Sequence, residues 1–259
     1  MSTPKISIRD VTLVHVNDDR NQSHVAVEGV DLDIIENEFL CVVGPSGCGK
    51  STLLSAIAGF MPPMAGTVRI GEQDITRPGA DRGVVFQEYA LLPWKSVLDN
   101  VALGLKFRKI PKAEREKTAM EYLAMTGLAD AAHKFPHELS GGMRQRVAVA
   151  RTLANTPEIM MMDEPFAAVD AQTRMSLQEE LLRVWDKHKI TVMFVTHSVE
   201  EAVFLADRVA VLTPGPGRVR ETVTIDIPRE ERNWDIINAN PRYIELRDHV
   251  MKLVRDPSR

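Results

Sequence analysis

FLCVVGPSGCGKSTLLSAIA, residues 39 to 58, passes from a short apolar run through a glycine-rich turn into a segment with helical spacing. Gly44 to Ser51 match G-x-x-x-x-G-K-[ST], and a strand before with a helix after is the setting that this pattern requires. The glycines let backbone N–H groups close around phosphate oxygens. Lys50 reaches the outer phosphates, and Ser51 offers its hydroxyl to a Mg²⁺ ion. Gly44, Pro45, Ser46, Gly47, Cys48, Gly49, Lys50, Ser51 and Thr52 are therefore the first candidate site.

Outward from this stretch, short β-branched runs alternate with longer helical patterns, which predicts an α/β fold with a mainly parallel sheet. The predicted strands are KISIRDV, FLCVV, TVRI, RGVVF, EIMMMD, TVMFVT and RVAVLT. The first helix is expected from near Gly49 to Ala58, stopped by the glycine of AGFMPP. From Gln87 to Pro157 the strand signal vanishes, and helices are predicted near 97–107, 112–125 and 143–154. That block, about 88–157, reads as a helical subdomain inserted into a single nucleotide-binding domain of residues 1–259. PGPGRVRETVTIDIP reads as a turn and one or two edge strands. The extension 228–259 is expected to be helical, with Asn240 as N-cap, Pro241 in the first turn, and Tyr243, Leu246, Val250 and Leu253 on one face.

Composition narrows the class. With 44% hydrophobic and 26% charged residues the chain can bury a sizeable core. A net charge of −4 with both signs interspersed lacks the basic stripe of a nucleic-acid binder, so no nucleic acid is expected as a partner. The one cluster, KFRKIPKAERE at 106 to 116, mixes cations with glutamates and reads as a solvated helix face. No apolar run is long enough for a membrane span, and MSTPKISIRD lacks a signal-peptide core, so a cytosolic protein is expected. Cys41 and Cys48 have neither metal nor redox spacing and are read as reduced and structural. His133 and His137 are spaced like metal ligands, but Pro136 between them interrupts a helix, which argues against a metal site.

Two further stretches carry chemistry. In IMMMDEP, four apolar residues predict a buried strand whose end delivers Asp163 and Glu164 toward the phosphate loop. Asp163 is suited to the Mg²⁺ shell, and Glu164 to orienting and deprotonating a water. In ELSGGMRQRVAVARTLA, Ser140-Gly141-Gly142 stands immediately before a helical pattern, so backbone N–H groups and a positive dipole end face an anion.

A phosphate loop, then LSGGMRQ, then a strand ending in DEP resembles, over nearly the whole chain and in the right order, the ATP-binding subunit of an ABC transporter. The resemblance implies a P-loop ATPase core with a mainly parallel sheet, an N-terminal antiparallel β portion and an inserted helical subdomain; it also implies ATP and Mg²⁺ as ligands, and ATPase activity in which Glu164, His197, Lys50 and Gln87 are the catalytic set. Gln87, ending GVVFQ, resembles the glutamine that touches Mg²⁺ and senses the membrane subunit; Ser51, Gln87 and Asp163 would then serve the metal. AAVD, ending at Asp170, resembles the D-loop, and His197 in VTHSVEEA the switch histidine at the γ-phosphate. Where the family stacks an aromatic ring on adenine, the matching place holds His15. Leu139, Ser140, Gly141, Gly142 and Met143 resemble the signature, which in this family covers the ATP of a second, head-to-tail copy. A single chain type then supplies two complete sites.

Within the family, GVVFQEYALLPWKSVLDNV, DEPFAAVDAQTR and TPGPGRV resemble the ATPase subunits of importers for nitrate, taurine and other alkanesulfonates. This implies transmembrane permease subunits as partners, a periplasmic or lipid-anchored solute-binding protein as an indirect one, and a peripheral location on the cytoplasmic face of the inner membrane. Leu91, Leu92, Pro93 and Trp94 are read either as local core or as a docking place for a permease helix. The alternative is an ABC ATPase of another transporter type, or one that moves no solute.

Overall fold

The computed structural model describes residues 4–17, 22–167 and 169–256. The backbone forms two compact units, Met1–Gly79 together with Lys189–Arg259, and Ala80–His188.

In the first unit, β3 (Phe39–Val43) is buried along its whole length. It lies parallel to both β8 (Thr191–Val195) and β9 (Arg208–Leu212). Strands covered on both faces need continuous apolar runs, which FLCVV, TVMFV and VAVL supply. β10 (Val219–Thr224) pairs antiparallel with β9, so this part of the sheet runs β10-β9-β3-β8.

A second sheet is antiparallel, in the order β2 (Gln22–Ile35), β1 (Pro4–Asn17), β4 (Ala65–Ile70), β5 (Gln73–Asp74). Along β1 the buried positions are Ile6 and Ile8, then Val11 and Leu13. The alternation slips by one residue between Ile8 and Val11, where the register with β2 also shifts and Asp10 takes φ 50. A bulge of this kind moves the following side chains to the other phase. It explains why alternation alone ends the predicted strand at Val11 when the observed one continues to Asn17.

Helix α1 (Lys50–Ala58) stops at Gly59, whose φ of 81 makes a left-handed cap; its N–H reaches Ala56 O at 3.0 Å and that of Phe60 reaches Ser55 O at 2.9 Å. Toward the C-terminus come α7 (Val199–Leu205), α8 (Trp234–Ile237) and α9 (Pro241–Arg255). Asn240 caps α9 as its spacing predicts, accepting from the amides of Arg242 and Tyr243. Tyr243, Leu246 and Val250 are buried, and Leu253 is half-buried. Trp234 stacks on Phe204 of α7 with centroids 4.2 Å apart, while buried Arg232 donates to the carbonyls of Phe204 and Ala206 where α7 ends.

In the second unit, β6 (Arg82–Val85) and β7 (Ile159–Asp163) are parallel partners. The α-helices among the described residues of this unit are α2 (Val97–Val101), α3 (Leu103–Phe107), α4 (Lys112–Met125), α5 (Gly141–Leu153) and α6 (Ala171–His188). Val97, Val101, Ala119, Leu123, Val147 and Ala150 form the centre of their core. The helix expected over 97–107 is two short ones, broken at Ala102. No helix is assigned to 171–188 from the sequence, although Leu177, Leu181, Val184 and Trp185 are buried at helical spacing along α6. Among the described residues no helix is long and apolar enough to cross a membrane.

Candidate nucleotide site and signature helix

The phosphate loop is shaped by what surrounds its glycines. Gly47 and Gly49 hold φ of 78 and 90, a region that side chains resist. A Cβ on Gly49 would also lie 2.7 Å from the Ala26 carbonyl oxygen. Gly49 is the N-cap of α1 and brings no side-chain cap, and the first turn of α1 holds no acidic residue. The positive end of the helix therefore meets the loop without a competing anion of its own.

Lys50 is only 6% exposed. Its Nζ donates to Gly44 O at 2.9 Å and Pro45 O at 3.0 Å, which draws the ammonium across the mouth of the loop. Cys48 Sγ lies 3.9 Å away; burial pushes this thiol up, and the Lys50 charge opposes the shift. Cys41 and Cys48 are both free thiols and both buried. His15, exposed on β1, is bound through Nε2 to Thr52 Oγ1 at 2.9 Å, beside the first turn of α1. His197 follows β8, the parallel partner of β3, so the imidazole and the phosphate loop leave the carboxyl ends of adjacent strands. That is where open α/β sheets bind ligands.

In the second unit the same rule groups Gln87, Asp163 and Glu164, which end or follow β6 and β7; Val85 pairs with Met162. Glu164 takes φ 43, a left-handed conformation for a non-glycine residue. Strain of this kind concentrates at functional positions. Asp170 stands just before α6, and its Oδ1 accepts from the Thr173 amide at 3.0 Å. That bond is the first cause of a carboxyl held below its ordinary range.

Ser140 caps α5, accepting from the Met143 amide at 3.3 Å, and is exposed. Leu139 and Gly142 are buried. A Cβ on Gly142 would come 2.8 Å from Thr173 Cγ2, so this glycine is also what lets α5 approach α6.

Two residues that the sequence reading passes over hold the loop after Gln87. Asn100, fully buried on α2, bonds the backbone of Leu92, Lys95 and Ser96. Arg151 of α5 donates to Tyr89 O at 2.8 Å and Ala90 O at 2.5 Å, where the backbone has φ of 58 and 45. Asn100 had a signal, since it is the polar member of the buried Val97-Asn100-Val101 face. Arg151 had none, because its partners are carbonyls far away in sequence. Leu91 packs against the helical core, whereas Trp94 is 71% exposed.

A glycine loop opening a helix beside a parallel sheet, with acids at a strand end, defines a nucleotide-binding α/β protein of the phosphate-loop class. The family model described as ABC transporter matches residues 27–167. Among curated relatives, the chain is 50% identical to a taurine import ATP-binding protein of Rhizobium johnstonii, covering 88% of each. It is 48% identical to a bicarbonate transport ATP-binding protein of Synechocystis, covering 88% of this chain and 82% of the relative. With a nitrate import ATP-binding protein of Synechococcus elongatus identity is 47%, over 88% and 84%. A solved dimeric ATP-binding cassette in a post-hydrolysis state, bound to ADP and Pi, is 33% identical and superimposes with a TM-score of 0.75 over 86% of this chain and all of that one. The chain belongs to the ABC transporter family and is one of its ATP-hydrolysing cassettes.

Proposed function

We propose that this protein is the ATPase subunit of an importer for a small anion, working as a head-to-tail pair on the cytoplasmic face of the inner membrane. The observation that carries the nucleotide chemistry is the Gly49-capped start of α1, with Lys50 drawn across the loop by two carbonyls. Phosphate oxygens replace those carbonyls as partners of the ammonium, and the amides of 44–52 take the remaining charge. Ser51, Asp163 and Gln87 provide a hydroxyl, a carboxylate and an amide oxygen, a hard donor set that fits Mg²⁺. Bound there, the ion would neutralise charge on the β- and γ-phosphates.

Glu164 orients a water and takes its proton as the water oxygen attacks the γ-phosphorus. The bond from that phosphorus to the β-phosphate oxygen breaks, and ADP leaves. His197 contacts the γ-phosphate and His15 packs on the base. Leu139 to Met143 of the second copy close over the nucleotide, with Asp170 at the same interface. The dimeric cassette bound to ADP and Pi supports this arrangement. We read residues 1–259 as one nucleotide-binding domain, with 88–157 as its helical insert and 228–259 as a C-terminal extension.

For the permease partner, an open cavity of about 490 Å³ beside the Gln87 loop is lined in part by Phe86, Ala90, Leu103, Phe107, Arg108 and Arg151. Its lining is mainly apolar and includes Arg82, Arg108 and Arg151, a surface suited to an amphipathic helix. A solute-binding protein would act through the permease and not touch this chain. Names of the relatives support taurine, nitrate or bicarbonate as the class of solute.

The test is deletion of the gene, followed by growth on taurine or another alkanesulfonate as sole sulfur source, on nitrate as sole nitrogen source, and at limiting bicarbonate. Loss of one of these is expected. Unchanged growth on all of them in a strain without a second importer would overturn the solute class. Capture of the permease by wild type but not by Phe107→Ser tests the cavity, and the same assay with Trp94→Ser tests the exposed loop beside it.

A further inference from the structure

β8 ends at Val195, and α7 begins at Val199, so only Thr196, His197 and Ser198 make the turn between them. Thr196 is 2% exposed and Glu201 is 5% exposed. The Ser198 amide donates to Thr196 Oγ1 at 3.0 Å. The Thr196 hydroxyl in turn donates to Glu201 Oε2, and the Glu201 amide donates to Ser198 Oγ at 3.2 Å. These three bonds close a cycle, and His197 is the residue arched between its first two members.

Ser198-x-x-Glu201 has the spacing of a capping box, in which the carboxylate would return to the Ser198 amide. Here the carboxylate bonds Thr196, and the Thr196 hydroxyl takes the amide instead. The buried carboxylate therefore ties the turn that carries His197 to the first turn of α7. The charge is felt nearby: burial first, and Glu201 second, push the Cys41 thiol up.

We infer that Thr196 and Glu201 are positioning residues that set the His197 imidazole for turnover. The inference rests on the reading of His197 as the γ-phosphate contact. The closed cycle removes the freedom of the two peptides that flank His197, and displacement of a reacting group by about 1 Å is enough to cost roughly 100-fold in rate.

Steady-state and single-turnover hydrolysis of Mg-ATP by the full-length chain tests it, with Thr196→Val, Thr196→Ser, His197→Ala and the Thr196→Val/His197→Ala double variant. Thr196→Val is expected to lower kcat by about 10- to 100-fold with KM within about twofold, and Thr196→Ser to recover to within about threefold of wild type. In the His197→Ala background, adding Thr196→Val is expected to cost less than about twofold, because its effect runs through the imidazole. A kcat for Thr196→Val within threefold of wild type, with His197→Ala strongly slowed but still measurable in single turnover, would overturn the inference alone. The same fold-loss in both backgrounds would also overturn it, since a merely structural role is additive. Full turnover by His197→Ala would sink the reading of His197 and the inference with it. Melting curves accompany each variant. If Thr196→Val does not fold, Glu201→Gln, which can still accept from Thr196, is expected to lose about three- to tenfold in kcat at unchanged KM, and an unchanged kcat would overturn the inference.

Discussion

Asn100 Oδ1 accepts from the Leu92 amide at 2.8 Å while Asn100 Nδ2 donates back to the Leu92 carbonyl at 3.2 Å. The side chain thus mimics a strand partner and holds the segment after Gln87 with no strand present. The same amide also reaches the carbonyls of Lys95 and Ser96 at 3.1 and 3.0 Å. The Leu92 and Ser96 carbonyls also accept from the Lys95 and Asn100 backbone amides, so Asn100→Ala takes the side-chain partner from the Leu92 amide and the Lys95 carbonyl above all, and is expected to lower unfolding free energy by about 2–4 kcal/mol. Urea denaturation of the two proteins measures it. A loss below about 1 kcal/mol would mean that water replaces the amide.

Gly142 lets α5 approach α6, since a Cβ there would lie 2.8 Å from Thr173 Cγ2. Gly142→Ala is therefore expected to destabilise the protein by about 1–3 kcal/mol through overpacking. Thr173→Ser deletes the offending methyl and should recover most of that loss in the double variant. If the two changes are simply additive in thermal melting, the close approach is not what requires glycine.

Glu164 presents a split between stability and chemistry. Its φ of 43 costs a non-glycine residue about 1–2 kcal/mol, which glycine would release against a chain-entropy penalty of about 0.5–1 kcal/mol. Glu164→Gly should therefore unfold within about 1 kcal/mol of wild type. Its ATP turnover should fall by about 10²- to 10⁴-fold if Glu164 is the base. Turnover near the wild-type rate would remove Glu164 from the chemistry. Glu164→Gln, which keeps the shape, should run as an ATP-dependent dimer in size-exclusion chromatography. A monomer with nucleotide demonstrably bound would count against closure over ATP.

The proposed sharing of the site between two copies is tested by mixing two variants that are each expected to be inactive. Lys50→Ala lacks the loop lysine but keeps its signature, and Ser140→Arg keeps the lysine but blocks the signature. In a mixed dimer one site carries both defects, while the other joins two intact halves. Hydrolysis should reappear on mixing, with differently tagged chains recovered together as proof of exchange. A mixed dimer of Lys50→Ala with wild type shows whether one intact site suffices for turnover. If it is active while the first mixture is silent, the signature does not act across an interface.

How much was legible in the sequence depended on whether the determining contact was local. The phosphate loop, the stop of α1 at Gly59, the cap of α9 at Asn240 and the apolar strands could be read directly. In each of them a residue type meets a backbone demand within a few positions of itself. Gly49 must hold a left-handed φ, Asn240 must accept from amides two and three residues on, and FLCVV must cover two faces. The length of β1 was lost because one bulged residue at Asp10 changes the phase of burial.

Tertiary structure alone decided the features that couple distant segments. Arg151 takes carbonyls of Tyr89 and Ala90, Gly142 is pressed by Thr173, and Arg232 reaches back to the end of α7. Backbone carbonyls and methyl groups leave no mark in a one-dimensional pattern, so their demand on a remote arginine or glycine becomes visible only when the chain has folded. The Thr196–Glu201 bond lies between these cases. Its spacing announces a helix start, but that the carboxylate bypasses the expected amide for the Thr196 hydroxyl depends on burial. In a dry site each donor and acceptor must find a partner, and the three-dimensional arrangement selects which one.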